Sequence, residues 1–454
     1  MILLTYVQIL PAGQVLAERR EAGLALSPFR GVRYAEDRVT GLAEVTSPPY
    51  DVIAHDKEDQ LLAADPHNIV RLILPRHAPG QPGDRNGEAA RTLRQWQDQG
   101  ILVSDAAPAL YLYEQAAIDG PESGRVVQRG LIGALRLAPP DAGIVLPHED
   151  VAAGPVAGRR KLMEATQANL EPIFLLYDGG QRGAAARIVD TAADGRGPLS
   201  EALTADGLRH RLWAITQESE LAAIAADLAP RQALIADGHH RYAAYRELQQ
   251  RRHAAGAGAG PWDFGLALLV DSAAYPPQIA AIHRVLPGIS PAAAAQLAAA
   301  AFRVRPLDGG SADLTAALAE LAAAGEDGPA FVVAGSGSAF LLTDPDPARA
   351  AAAMPPGHSA RWRGLAPAIL QELLIGKIWG ITDDERSVRI VHHDAAAAVR
   401  AADAVPGGTA VISLPVSAAD VYAVAAIGER MPRKSTSFSP KPRTGIVIRT
   451  FAQG

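Results

Sequence analysis

The 454-residue chain contains no cysteine. Disulfides, thiolate zinc sites and cysteine nucleophiles are therefore excluded together. Aromatic residues are scarce, at 5%, and only four methionines occur. No apolar run reaches the roughly 20 residues that a membrane span needs, so no membrane partner is expected. Neither charge sign dominates. The net charge of −6 gives no general attraction to phosphate backbones, which argues against nucleic acid as a partner. Familiar catalytic signatures are missing too. There is no G-x-x-x-x-G-K-[ST] loop, no G-x-G-x-x-G after a strand, no G-x-S-x-G elbow and no H-E-x-x-H. Any nucleotide site must then be of neither P-loop nor Rossmann type. The opening stretch, "MILLTYVQILPAGQVLAERREAG", has no basic region ahead of its apolar residues and no clear small-residue cleavage site. A signal peptide is not expected, and the cytoplasm is the expected location.

What is present is a globular composition: 48% hydrophobic and 20% charged residues. The length suggests two or three domains. Residues 1–25 read as a poorly specified extension. Residues 26–120 read as an N-terminal α/β region and 121–289 as a core region, with loose boundaries. From 290 to 454 the composition turns alanine-rich, which favours helices. "IVRLIL" (69–74) is expected to be a buried strand, and 88–100 an amphipathic helix closed by Gly100. "PALYLYEQAA" and "RVVQRGLIGALRL" read as paired strands around Asp119-Gly120. "AFVVAGSGSAFLLTD" reads as a hairpin, 360–378 as one long helix, and "VHHD" (391–394) as a loop. The fold class is α+β, with mixed sheets and flanking helices.

The densest chemistry lies in "LIADGHHRYAAYRE" (234–247), an apolar strand that turns at Gly238 into a helix. A helix start offers backbone N–H groups and a partial positive charge. Gly238 permits close approach to the backbone, and Arg241 adds a two-pronged cation suited to phosphate. These are the parts of an anion site. Asp237 beside such a site suits Mg²⁺ coordination or proton abstraction. His239 and His240 complete the group. A plainer reading stays open, in which Asp237 caps the helix and the histidines are hydrogen-bonded core residues.

"IADGHHRYAAY", "SPPYDVI", "RLILP", "VLPHE", "ANLEPIF" and "MPRKSTSFSPKP" together resemble the bacterial and archaeal domain of unknown function 1015 family, over about residues 27–450. More distantly, the turn resembles the box of the ParB/sulfiredoxin superfamily, whose members bind nucleotide phosphates at the helix start. That resemblance implies a ParB/sulfiredoxin-like nucleotide-binding core with a C-terminal α/β region. His239 would stand where sulfiredoxin carries its catalytic cysteine, which rules out sulfiredoxin chemistry. Free-serine kinases of the superfamily carry a similar D-G-H-H-R turn, so ATP or ADP with Mg²⁺ is the implied cofactor set.

Further candidates lie elsewhere. "LPHED" places His148 and Glu149 at a strand end, where Glu149 could act as base or metal ligand. Arg159, Arg160 and Lys161 form a basic helix start that could meet a metal–nucleotide complex or be a solvated face. In the C-terminal basic stretch, Lys434, Ser435, Thr436 and Lys441 suit phosphate or carboxylate binding. Tyr50, Asp51, His283 and Arg284 are candidates for a pocket.

Three functions fit these residues. The first is a nucleotide-dependent phosphotransferase acting on a small-molecule hydroxyl, with free serine the first acceptor to test. In it, Asp237, His239, His240 and Glu149 are catalytic, and Gly238, Arg241 and the basic loop hold phosphate. The others are a non-catalytic nucleotide-binding regulator of ParB-like type and a phosphatase of small phosphorylated metabolites.

Overall fold

The computed structural model describes residues 23–76, 84–119, 123–384 and 386–453. Most of the expected 1–25 extension, and Gly120 at the expected 120 boundary, lie outside the described residues. The chain forms two compact units. Unit 1 takes residues up to 147, then 151–276 and 440–454; unit 2 takes 148–150 and 277–439.

Unit 1 is built on a mixed sheet of nine strands among the described residues. Its centre is a long antiparallel pair, β1 (Leu110–Ala117) and β2 (Val126–Arg136). The short β3 (Val145–Leu146) lies parallel to the strand that carries the turn. Further along the chain come β4 (Ile173–Tyr177), β5 (Ser200–Thr204), β6 (Leu208–Ile215), β7 (Ala233–Asp237) and β8 (Phe264–Asp271). They run across the sheet as β3-β7-β4-β8-β2-β1-β6-β5, and Leu26–Ser27 pairs with β2. β4 and β7 are apolar at nearly every position and buried throughout, as strands covered on both faces must be. Helix α1 (Ala153–Thr166) precedes β4, and α2 (His239–Ala254) follows β7. Tyr242, Ala244, Tyr245 and Leu248 of α2 join the core with Ile173, Leu175, Ile235 and Leu269.

Unit 2 has its own sheet of six strands among the described residues. Its elements include β9 (Ile282–Leu286), α3 (Pro291–Ala298), α4 (Leu314–Gly325), the β10/β11 hairpin (Phe331–Gly335 and Ser338–Thr343), β12 (Arg389–His392) and β13 (Thr409–Ser413). β9 lies between β12 and β13. Alanines from the helices pack against Val332, Ala410 and Ile412, so small side chains bring helix and sheet close.

The mixed α+β class, the 88–100 helix (observed at Arg85–Asp98), the paired β1 and β2, and the β10/β11 hairpin agree with the sequence reading. Three segments differ. "IVRLIL" is a short helix, Val70–Ile73, because Asn68 accepts from the Val70 amide at 2.9 Å and starts a helical turn. A short apolar run buried on all sides carries no period that separates helix from strand. The expected 360–378 helix breaks at Leu365, which is extended (ψ 135°). Pro367 explains the break, since its ring would clash with the carbonyl of Arg363 in a continuous helix. The expected 391–394 loop begins as strand, with Val391 and His392 in β12.

Candidate active site

Gly238 sits between β7 and α2 at φ 94°, a left-handed conformation that glycine adopts without strain. A Cβ there would stand 3.0 Å from Arg241 Nε and 3.0 Å from Ile173 Cγ2. The glycine therefore clears the space through which Arg241 folds back onto the strand end. There the Arg241 guanidinium pairs with Asp237 Oδ2, four residues earlier, and donates to the Pro172 carbonyl at 2.6 Å. Arg241 is 3% exposed and Asp237 7%. Asp237 and its neighbouring acids hold the Arg241 guanidinium even more firmly charged than usual, against the opposing effect of burial.

The second Asp237 oxygen, Oδ1, pairs with Lys441 Nζ. Lys441 also lies 3.6 Å from Asp51 Oδ2. Burial alone would lower the Lys441 pKa, but the Asp237 and Asp51 carboxylates outweigh it and raise it. Both oxygens of Asp237 are thus held by cations at the positive end of a helix.

Lys441 arrives on a strap, residues 440–444. Gln128 donates to the Pro440 carbonyl at 3.4 Å and Gln115 to the Lys441 carbonyl at 3.2 Å. The Arg443 guanidinium donates to the carbonyls of Ala43 (2.8 Å) and Thr46 (3.0 Å). Thr444 and Ser47 exchange backbone hydrogen bonds. This pairing draws "SPPYD" to the strap. The Tyr50 amide donates to Glu171 Oε1 at 3.0 Å, and the Tyr50 ring lies under Arg159 (4.2 Å) and Arg241 (5.9 Å). Arg159 stands 3.6 Å from Glu171 Oε2. Burial raises the Glu171 pKa, with Arg241 and Arg159 pulling the other way. Burial likewise pushes the Tyr50 hydroxyl up to about 12.

Asp237, Gly238, Arg241, Lys441, Tyr50 and Asp51 therefore meet within unit 1. His239 begins α2 and is 5% exposed. His240 Nε2 accepts from the Ala152 amide at 3.1 Å, at the start of α1. Sequence reasoning did not select Glu171. It did mark Arg159, but only within a basic run. A charged residue opening the wholly apolar "PIFLLY" was the available signal for Glu171.

The other candidates lie in unit 2. His148 is fully buried, with Nε2 2.9 Å from Thr436 Oγ1. Thr436 donates to Glu149 Oε1 at 2.8 Å. Arg284 is 3% exposed and donates to the carbonyls of Ile282 (3.2 Å), Arg433 (3.1 Å) and Lys434 (2.8 Å). Lys434 itself is exposed at φ 51°, and Ser435 is buried. Burial lowers the Arg284 pKa to about 10, with the Arg433 charge adding to the effect and Asp383 opposing it. His283 is depressed to about 4 by burial and by Arg284.

A family model described as "Protein of unknown function (DUF1015)" matches residues 26–365, and the chain belongs to that family. A search of curated proteins finds no match. Among solved structures, the chain is similar to a free serine kinase variant in complex with ADP: 12% identity, TM-score 0.34, 68% of this chain and 87% of that one. It is similar to a conserved hypothetical protein from Pyrococcus furiosus: 13% identity, TM-score 0.33, 71% and 95%. It is also similar to C-terminally truncated SbnI from Staphylococcus aureus: 10% identity, TM-score 0.31, 70% and 81%. With TM-scores below 0.5 these likenesses carry no weight for the chemistry. No described helix is long and apolar enough to cross a membrane.

Proposed function

We propose that the chain is a nucleotide-dependent phosphotransferase acting on a small-molecule hydroxyl, with its phosphate seat at the start of α2. One observation carries this reading: two cations, Arg241 and Lys441, converge on the single carboxylate of Asp237 at a helix N-terminus. Phosphate oxygens compete for these same cations and for the positive helix end. When a nucleotide takes Lys441, the Asp237 carboxylate becomes available.

In the reaction, the acceptor oxygen attacks the terminal phosphorus of ATP or ADP. The bond from that phosphorus to the bridging oxygen breaks, the shortened nucleotide leaves, and the acceptor proton passes to a carboxylate. Arg241 and Lys441 hold the phosphates, and positioning and electrostatics supply most of the catalysis. Asp237 and Asp51 both stand by the Lys441 ammonium, so they already share one cation. They fit Mg²⁺, which binds through one or two carboxylates and would neutralise phosphate charge. One of the pair would hold the ion, and the other would take the proton. Free serine is the first acceptor to try, by analogy with the similar turn of free-serine kinases.

The test incubates the protein with ATP or ADP, Mg²⁺ and L-serine, and follows phosphoserine by phosphorus NMR. Phosphoserine from wild type and none from Asp237→Asn is the expected result. No product with any hydroxyl acceptor defeats the transferase. Nucleotide-dependent protection against unfolding would then leave a non-catalytic regulator. Phosphate released from phosphoserine without nucleotide would leave a phosphatase.

A further inference from the structure

The strap that carries Lys441 ends on a directional chain of hydrogen bonds. The Arg443 amide donates to Tyr113 Oη at 3.2 Å. A backbone N–H can only donate, so Tyr113 accepts here and has its own proton free for another partner. That partner is His210 Nδ1, 2.7 Å away. Nδ1 must then be bare, which places the His210 proton on Nε2. Nε2 lies 2.9 Å from Thr204 Oγ1, and the Thr204 hydroxyl in turn faces Asp206 Oδ1 and the Leu208 carbonyl. With Tyr113 donating to Nδ1 and Nε2 donating to Thr204, the single Thr204 proton goes to Asp206 or to the Leu208 carbonyl, and this arrangement takes a neutral imidazole. His210 is 2% exposed, and Tyr113 1%.

One spacing along the strand shows what this chain controls. Tyr113 is two residues from Gln115 on β1, and Gln115 holds the Lys441 carbonyl. β1 therefore grips the strap at two points, the Lys441 carbonyl through Gln115 and the Arg443 amide through Tyr113. We propose that Tyr113 and His210 are positioning residues: the tyrosine, oriented by the neutral histidine, fixes the strap so that Lys441 stands on Asp237. This assignment rests on the phosphate-seat reading for its use, and on the hydrogen bonds alone for its geometry.

The test measures how fast Lys441 is acetylated by dilute acetic anhydride, by mass spectrometry of the full-length protein. The lysine side chain is 23% exposed and ion-paired, so it reacts slowly in wild type. Tyr113→Phe and His210→Leu are expected to raise the Lys441 rate about tenfold. His210→Asn, which puts an acceptor oxygen close to the place of Nδ1, restores a rate within about twofold of wild type. Exposed Lys434 serves as the reference in each sample. The buried Trp213, on the same strand as His210, reports by its fluorescence that the sheet is intact. An unchanged Lys441 rate in Tyr113→Phe and His210→Leu, or His210→Asn as fast as His210→Leu, overturns the proposal. The phosphate reading fails separately if saturating ADP leaves the wild-type Lys441 rate unchanged.

Discussion

Two cation sites, one in each unit, are built in opposite ways. In unit 1, Arg241 and Lys441 meet the carboxylate of Asp237, and Arg159 stands beside Glu171. In unit 2, Arg284 is equally buried but spends its donors on three backbone carbonyls, and its pKa falls to about 10. A guanidinium among carbonyls ties down a loop, here residues 433 and 434. A carboxylate held by two cations is a charge arrangement that a competing anion can rearrange. The first is scaffolding and the second suits a site.

The comparison breaks most sharply at Asp237. Asp237→Ala leaves Arg241 buried without its carboxylate, and removing one partner of a buried pair costs about 3–5 kcal/mol. Urea unfolding should show a loss of that size. A smaller loss is expected for Asp237→Asn, which keeps an acceptor, and the transferase test needs that variant confirmed as folded.

Acid should act on both units alike. Burial holds His210 of unit 1 and His283 of unit 2 at about 4, below the ordinary 6.5. Below pH 6.5 the unfolded chain takes up protons that the folded histidines refuse. Stability from each histidine is present above pH 6.5 and falls as the pH drops towards 4, by about 3 kcal/mol per residue. Unfolding free energies of wild type and His283→Asn, measured from pH 7 to 4, should converge by that amount.

Arg284→Met is expected to cost about 1–3 kcal/mol, because it strands carbonyls rather than a charge. A loss as large as that of Asp237→Ala would erase the contrast between the two sites. At the surface, Arg305→Ala breaks an exposed ion pair with Glu320 and should cost about 0.5 kcal/mol or less in the same assay.

Much of unit 1 was legible in the sequence. The strand, turn and helix of "LIADGHHRYAAYRE" follow from an apolar run, a glycine and a helical pattern. The Asp237–Arg241 pair was not read: Asp237 ends the strand ahead of Gly238, outside the helix, so the four-residue spacing of a helix face does not predict it. Lys441 was marked as an anion binder, but its place on Asp237 depends on a strap pinned by Gln115, Gln128 and Tyr113, and no local pattern encodes contacts so distant in sequence. His210 was overlooked because one histidine in "LRHRLWAI" looks like any alternating strand residue. The Val70–Ile73 helix was missed because its start signal is a single side chain, Asn68.

Calorimetric titration of ADP with Mg²⁺ into wild type and Lys441→Ala tests the central claim most directly. The account predicts measurable binding to wild type, weakened at least tenfold in the variant. Equal affinity for both would contradict a phosphate seat made by Lys441 and Arg241.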